Sequence, residues 1–276
     1  MSSELFQHRA RKRFGQNFLH DAGVIHKILR AIAAKEGQHL LEIGPGQGAL
    51  TEGLVDSGAK LDVIELDLDL IPQLKWRFGL KPNFSLHQGD AMKFDFATLV
   101  ASPEDKLRVV GNLPYNISTP LIFHLLDHAS LIQDMHFMLQ KEVVERLAAE
   151  PGNGDWGRLS IMVQYFCRVD YLFTVGPGAF NPPPKVDSAI VRLVPYTELP
   201  HPANDHHVLE RIVREAFNQR RKTLRNTLRT LMSVEDIEAA GVDPTLRPEQ
   251  LDVADFVRLA NRYSETHPQA SPGASA

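Results

Sequence analysis

The chain has 276 residues, 43% of them hydrophobic and 23% charged, which is typical of a folded globular protein and excludes a disordered or fibrous one. Its formal net charge of −4 excludes a uniformly basic nucleic-acid binder and directs attention to local clusters of cations. A single cysteine, Cys167, excludes an internal disulfide framework and a multi-thiolate metal site, so we expect a reducing compartment.

The first 20 residues are predicted to form a basic arm, in which Arg11, Lys12 and Arg13 stand together. No apolar run follows these cations, so the pattern supports neither a signal peptide nor a membrane anchor. We therefore expect a cytoplasmic protein with no membrane partner.

After the arm, strands alternate with helices as far as about residue 196, which predicts a doubly wound α/β fold with a parallel sheet. The helices are predicted over residues 22–35, 49–57, 69–78, 119–128, 141–149 and 158–166. The strands are predicted over residues 39–43, 61–65, 84–87, 107–110, 135–139, 171–175 and 189–194. Asp21 is a suitable N-cap for the first helix, and Gly37 is a suitable stop.

Pro200 and Pro202 interrupt this alternation, and helical periodicity without strands follows them. We therefore predict a domain boundary near Tyr196. The predicted segments are an arm over 1–20, an α/β domain over 21–196, a small all-α domain over 197–263 and a disordered tail over 264–276.

A glycine-rich turn, Glu42-Ile-Gly-Pro-Gly-Gln-Gly48, stands where a strand passes into a helix, which indicates a nucleotide-like ligand close to the backbone. Glu65 follows Gly46 by 19 residues, the spacing at which a carboxylate accepts the ribose hydroxyls of a nucleoside. Gly44, Gly46 and Ala49 also satisfy the fingerprint of a dinucleotide dehydrogenase. The turn alone therefore leaves the ligand undecided.

The pair Asp90 and Ala91 follows the third predicted strand. A carboxylate at this place can accept a hydrogen bond from an adenine amino group, and a simple turn carboxylate is an equal alternative.

The tetrapeptide Asn112-Leu113-Pro114-Tyr115 follows the fourth predicted strand, at the sheet edge where open α/β folds bind ligands. An adenine amino nitrogen is a poor nucleophile, because its lone pair is delocalised into the ring. The Asn112 amide oxygen and the Leu113 carbonyl are predicted to accept its hydrogens, while Pro114 stiffens the backbone and Tyr115 stacks on the base. Phe180, on a proline-rich loop, is predicted to form the other wall, with a core aromatic as the alternative.

The second basic cluster covers residues 211–229 with helical spacing and contains Arg220, Arg221, Lys222 and Arg225. It is predicted either to hold RNA phosphates or to form a solvated helix face. No His, Cys and carboxylate set has metal-ligand spacing, so we expect no metal site.

Taken together, the motifs described above resemble those of the rRNA adenine N(6)-methyltransferase family, and within it those of the bacterial dimethyltransferases of small-subunit (16S) rRNA. The resemblance covers nearly the whole chain. It rests on the segments 11–19, 42–51, 112–119 and 180–188 and on Glu65 and Asp90.

The resemblance implies a Rossmann-like class I methyltransferase domain over 21–196 that uses S-adenosyl-L-methionine, and an rRNA-binding helical domain after it. It implies that Gln16, Asn17 and Leu19 cover the methionine end of the cofactor, that Gly44 and Asn112 lie beside it, and that Glu65 holds the ribose. The adenine would be held by the residue pair 90–91. Apart from the resemblance, the basic residues at 11–13 are predicted to form an arm that orders on RNA.

The expected reaction is dimethylation of two adjacent adenosines near the 3′ end of 16S rRNA in the immature 30S subunit, by a monomer. Relatives that methylate 23S rRNA and confer antibiotic resistance share these motifs and are the nearest competing assignment. A noncatalytic ribosome assembly factor is a further alternative.

Overall fold

The structure is a computed structural model that describes residues 17–219 and 221–268. Its packing divides the chain into two units. Within the described residues, unit 1 contains 17–144 and 169–195, and unit 2 contains 145–168 and the residues from 196 onward. The predicted boundary near Tyr196 coincides with the start of the last segment. Residues 145–168, which the sequence assigned to the α/β domain, pack with unit 2.

The strands alternate with helices along much of unit 1. The strands are β1 (Phe18–Leu19), β2 (His39–Ile43), β3 (Lys60–Glu65), β4 (Phe84–Gln88), β5 (Leu107–Asn112), β6 (Ile132–Gln140), β7 (Cys167–Val175), β8 (Phe180–Asn181) and β9 (Ser188–Pro195). The helices are α1 (Ala22–Ile32), α2 (Thr51–Asp56), α3 (Ile71–Phe78), α4 (Ser118–Leu126), α5 (Lys141–Leu147), α6 (Arg158–Phe166), α7 (His206–Phe217), α8 (Leu224–Thr227), α9 (Val234–Ala239) and α10 (Val253–Thr266).

A seven-stranded sheet in the order β4-β3-β2-β5-β6-β9-β7 forms the centre of unit 1. Neighbouring strands from β4 to β6 are parallel, as predicted, whereas β9 pairs with β6 antiparallel. The antiparallel strand was not predicted, because an apolar run carries no information on strand direction. Since β3 and β5 flank β2 on opposite sides, the chain reverses its winding there, and open α/β sheets bind ligands at that point.

The core of unit 1 explains why these segments form strands. All five residues of β2 are buried, which is typical of a parallel strand covered on both faces. Leu40, Leu54 and Leu61 pack in one apolar cluster with Ile28 and Ile32 of α1. Burial of this surface therefore fixes the strand ends that carry the site.

Helix α1 begins as predicted and ends earlier than predicted. Asp21 caps it by accepting a hydrogen bond from the Val24 N–H at 2.9 Å. The helix ends at Ile32 because Ala33 adopts a left-handed conformation with φ of 48°. Gly37 is therefore not the residue that stops it.

In unit 2, the basic stretch 211–229 does not form one helix. Helix α7 ends at Phe217, and α8 begins after Thr223. Buried Leu224 donates its N–H to the Leu246 carbonyl at 2.9 Å, which redirects the chain at this point. Arg221 and Lys222 thus lie between helices, and the predicted continuous helical spacing is wrong.

The last helix, α10, runs through Thr266, so residues 264–266 do not belong to a disordered tail as predicted. The Tyr263 and His267 rings stack with centroids 4.3 Å apart, and this contact closes the final turn. Residues 269–276 lie outside the described part. No helix among the described residues has the length and apolar character that crossing a membrane requires.

Candidate active site

A cavity of about 330 Å³ lies in unit 1 at the carboxyl ends of β2, β3 and β5. The predicted site residues that line it are Asn17, Leu19, Gly44, Glu65, Asp90, Ala91, Asn112, Leu113, Pro114 and Tyr115. Residues from distant parts of the sequence therefore meet in one space, as expected for the switch point of an open sheet.

The glycine-rich turn forms one wall of the cavity and requires glycine at two positions. Gly44 and Gly46 have φ of +66° and +58°, a region that other residues adopt with strain. A Cβ on Gly46 would also lie 3.1 Å from the Phe18 ring. The turn is held to the sheet by a 2.9 Å hydrogen bond from the Gly44 N–H to the Ile64 carbonyl.

Glu65 ends β3 and is buried at the cavity wall. Its Oε1 accepts a hydrogen bond from the Asp67 N–H at 2.7 Å, which fixes the carboxylate against the backbone. Burial raises the pKa of Glu65, and the N–H groups of Asp67, Gly46 and Leu66 oppose the rise. A buried carboxylate of this kind is suited to accept hydrogen bonds from ligand hydroxyls.

Glu42 is a cavity residue that the sequence analysis did not select, although it begins the glycine-rich motif. Its side chain is only 2% exposed, and its Oε2 accepts a 2.6 Å hydrogen bond from the Thr51 hydroxyl. Burial raises the pKa of Glu42 to about 7; the Thr51 hydrogen bond opposes the rise and the charge of Glu65 adds to it. A carboxyl group at the end of a buried strand was the available signal.

We expect Glu42→Gln to increase stability at alkaline pH. Between pH 4.5 and about 7 the folded state retains a proton that the unfolded state has lost, so the Glu42 contribution to the free energy of unfolding decreases as pH rises. Glutamine does not ionise, so it avoids this decrease in the free energy of unfolding, which is on the order of 3 kcal/mol at pH 8. Urea unfolding from pH 5 to 8 measures the free energy of unfolding of each variant. Glu36→Gln, at an exposed position, is the control. Parallel pH profiles for Glu42→Gln and wild type would contradict the assignment.

Asp90 lines the cavity beside Ala91 and also caps a short 3₁₀ turn. Its Oδ1 accepts a hydrogen bond from the Met92 N–H at 3.0 Å. Asp90 is therefore a turn carboxylate, one of the two alternatives from the sequence, and it also lines the cavity. The other alternative, an acceptor for an adenine amino group, stays a prediction.

The tetrapeptide lies at the end of β5, with Asn112 as the last residue of the strand. The Asn112 side-chain N–H donates to the Asn17 carbonyl at 3.2 Å, and this contact orients the amide. The Leu113 N–H donates to the Met138 carbonyl at 3.2 Å, which fixes the peptide. The Tyr115 hydroxyl lies 2.9 Å from the Ser188 hydroxyl. Asn112, Leu113 and Tyr115 are thus each held by a contact from a different segment.

Phe180 does not line the cavity. It is 3% exposed, belongs to the apolar core and pairs with Leu19 between β1 and β8. Its packing matches the alternative considered from the sequence, a core aromatic. The structure brings Leu19 to the cavity but not the Phe180 ring, so the stacking role of Phe180 stays a prediction.

The remaining predicted site residues fall into two groups. Gln16, Arg11, Lys12, Arg13 and Arg220 lie outside the described residues. Arg221, Lys222 and Arg225 belong to unit 2 and are exposed.

The charge of the cavity limits what it can bind. The acidic side chains that line it are Glu42, Glu65, Asp67 and Asp90, and no Lys, Arg or His is among the described lining residues. Because burial raises the pKa of Glu42 to about 7, this group is only partly ionised at neutral pH. A dinucleotide would place a doubly charged pyrophosphate there, which the ionised carboxylates repel. A cationic nucleoside fits this charge. No group of His, Cys, Asp and Glu in the described residues is arranged to hold a metal ion.

The family model described as ribosomal RNA adenine dimethylase matches residues 7–265, which is most of the chain. The chain belongs to this family. The resemblance found in the sequence is therefore confirmed, and with it the conclusion that the protein is an rRNA methyltransferase.

Relatives in the dimethylase family are similar over almost their full length. The Ribosomal RNA small subunit methyltransferase A of Pseudomonas aeruginosa is 82% identical over 263 residues, which cover 95% of this chain and 98% of that protein. The protein of the same name from Marinomonas sp. is 61% identical over 254 residues, covering 92% and 95% of the two chains.

Two solved structures share the fold. A dimethyladenosine transferase from Plasmodium falciparum has a TM-score of 0.75 at 30% identity, covering 88% of this chain and 95% of that one. The 23S rRNA methyltransferase ErmE has a TM-score of 0.71 at 25% identity, covering 90% and 100%. The predicted Rossmann-like methyltransferase fold is confirmed.

Proposed function

We propose that this member of the dimethylase family transfers methyl groups from S-adenosylmethionine to the N6 amines of two adjacent adenosines near the 3′ end of 16S rRNA. The observation that carries the proposal is the shared cavity, since Glu65 and the tetrapeptide 112–115 line one space. The substrate is the immature 30S subunit, and the products are dimethyladenosines. The protein acts as a cytoplasmic monomer.

The cavity suits S-adenosylmethionine by shape and charge. Its glycine-rich wall leaves open space where a Cβ on Gly44 would stand, so a ligand can approach the backbone. Glu65, Asp90 and Ala91 all line the cavity. On this proposal Glu65 holds the ribose, and Asp90 with Ala91 holds the adenine. The bound cofactor supplies an electrophilic methyl group on a positively charged sulfur. The carboxylates at the cavity wall favour a ligand of that charge.

The tetrapeptide is placed to activate the adenine amine. The Asn112 amide oxygen and the Leu113 carbonyl would accept the two amino hydrogens, which favours a more tetrahedral nitrogen with an available lone pair. The bound cofactor would supply the methyl group with cleavage of its carbon–sulfur bond and leave as the neutral thioether S-adenosylhomocysteine. Tyr115 packs on the base. After transfer the nitrogen releases its extra proton to solvent. Catalysis on this scheme consists of positioning and electrostatics.

The 23S rRNA enzymes are a second candidate, because ErmE shares the fold. Sequence identity favours a small-subunit rRNA enzyme. Two relatives named as small-subunit methyltransferases are 61% and 82% identical to this chain, against 25% for ErmE. A noncatalytic assembly factor would bind subunits and leave them unmodified.

One assay separates these functions. The protein is incubated with labelled S-adenosylmethionine and unmethylated 30S or 50S subunits, and the labelled nucleosides are identified by chromatography. We expect N6-dimethyladenosine in 16S rRNA. Label confined to 23S rRNA would establish the second candidate, and binding of 30S subunits without transfer would establish an assembly factor.

Unit 2 supplies the proposed RNA contacts. Within the described part of the basic stretch 211–229, Arg214, Arg221, Lys222, Arg225 and Arg229 are exposed, and none of these five forms an ion pair with another described residue. Unpaired surface cations are free to bind phosphates and release counterions.

Replacing Arg220, Arg221 and Lys222 by Gln is expected to weaken 30S binding and to flatten its salt dependence. If all three contact phosphates, the slope of log K against log salt decreases by roughly 2 to 3. Filter binding at 50–300 mM salt, a range of roughly one decade about the physiological value, measures both quantities. Exposed Lys35, Lys75 and Lys93 of unit 1, replaced together, are the charge-matched control. An unchanged slope in the first variant would favour a solvated surface.

A further inference from the structure

The Tyr115 side chain is held at its far end by a residue outside the tetrapeptide. Tyr115 lines the cavity and is half-buried, and its hydroxyl oxygen lies 2.9 Å from Ser188 Oγ. Ser188 is fully buried at the start of β9. This contact links the tetrapeptide to the end of the proline-rich loop, two segments separated by 73 residues.

Ser188 is itself fixed in place. It pairs with Gln140, the last residue of β6, in the antiparallel register between β6 and β9. Its neighbour Asp187 accepts a hydrogen bond from the Lys141 N–H at 2.9 Å. The backbone of Ser188 is therefore held by the sheet, so its hydroxyl has a fixed position next to the Tyr115 hydroxyl.

The other end of Tyr115 is also held. The Ser118 hydroxyl donates to the Tyr115 carbonyl at 3.2 Å, which fixes the backbone at the start of α4. A fixed backbone still leaves three staggered rotamers about the first side-chain torsion, and these point the ring in different directions. A hydrogen bond at the hydroxyl, which lies at the far end of the ring axis, selects one of these directions.

We propose that Ser188 is a positioning residue that holds the Tyr115 ring in the direction in which it packs against the target adenine. This inference rests on the proposed function, because it requires a base beside Tyr115. Ser188 does not touch the reacting atoms and acts only through the Tyr115 hydroxyl. A ring fixed before the base arrives spares the entropic cost of ordering it in the complex.

The test is a double-mutant cycle of Ser188→Ala and Tyr115→Phe, read as single-turnover methylation of 30S subunits. Each variant removes one side of the same hydrogen bond, so we expect each to lower kcat/KM for the subunit about fivefold, in proportion to one neutral hydrogen bond. The double variant should be no slower than either single variant. Calorimetry should give an unchanged Kd for S-adenosylmethionine, because the contact does not involve the cofactor wall.

The chain offers a matched control. The Tyr171 hydroxyl lies 2.7 Å from the Thr174 hydroxyl at an exposed place in unit 1 that does not line the cavity. Tyr171→Phe should leave kcat/KM unchanged. Ser188→Thr, which keeps a hydroxyl at the same position, should recover most of the lost rate.

Two outcomes would overturn the role of Ser188: additive effects in the cycle, or a Ser188→Ala rate equal to wild type. If Ser188→Ala failed to fold, Tyr115→Phe at its half-buried position would still decide the matter, since a wild-type rate there removes the need for a hydroxyl partner. Failure of the proposed function gives a different result, because wild-type protein would then transfer no methyl group to 30S subunits.

Discussion

Asn112→Ala is expected to lower kcat for methyl transfer by about 100- to 1000-fold. The amide oxygen of Asn112 is proposed to accept a hydrogen from the adenine amine as its nitrogen becomes tetrahedral. Loss of one preorganised hydrogen-bond partner in a transition state typically costs two to three decades. Single-turnover methylation of 30S subunits at saturating cofactor measures this rate directly.

Two controls accompany the Asn112 experiment. Asn116→Ala changes an exposed cavity residue four positions away and should keep at least a third of the wild-type rate, an effect of roughly the size of one weak contact. Calorimetry should give Asn112→Ala a cofactor Kd within a fewfold of wild type, although its contact with the Asn17 carbonyl is lost. Near wild-type turnover in Asn112→Ala would remove this residue from the reaction.

Glu65→Ala is expected to weaken S-adenosylmethionine binding by about 10- to 100-fold, the range for a hydrogen bond to a charged group. The carboxylate is buried at the cavity wall and fixed by the Asp67 N–H, so its position is set before the cofactor binds. Calorimetry measures the Kd. At saturating cofactor kcat should stay close to wild type, because Glu65 is proposed to hold the ribose and not the reacting amine.

Exposed Glu36→Ala is the matched control for Glu65, since it removes a carboxylate of unit 1 that does not line the cavity. An unchanged cofactor Kd in Glu65→Ala would exclude Glu65 from the ribose site. A large loss of kcat at saturating cofactor would instead place it close to the transferred methyl group.

Much of the fold could be predicted from local patterns. The apolar runs that became β2 and β3, and the turn at Gly44 and Gly46, carry their own signal, because burial and positive φ restrict which residues can stand there. The end of α1 could not be predicted, since Ala33 takes a left-handed conformation that its residue type does not favour. Such ends are decided by packing.

The candidate site was predicted in part for a similar reason. Glu65, Asp90 and Asn112 each follow a strand, and parallel strands bring their carboxyl ends to one edge, so their meeting follows from topology. Glu42 was missed because its raised pKa comes mainly from burial in the folded protein, and Ser188 was missed because its role depends on Tyr115, which is 73 residues away in sequence. The orientation of Phe180 likewise depends on its neighbours in the core.

The sequence by itself determined the alternation of strands and helices, the motif positions and the family, since these depend on residue types at fixed spacings. Only the tertiary structure decided that 145–168 pack with unit 2, that the basic stretch breaks after Phe217, and that Ser188 lies against Tyr115. The physical reason is that burial and long-range hydrogen bonds depend on which segments meet in space. A local sequence pattern indicates the preferred structure of one segment but does not indicate which other segment it will contact.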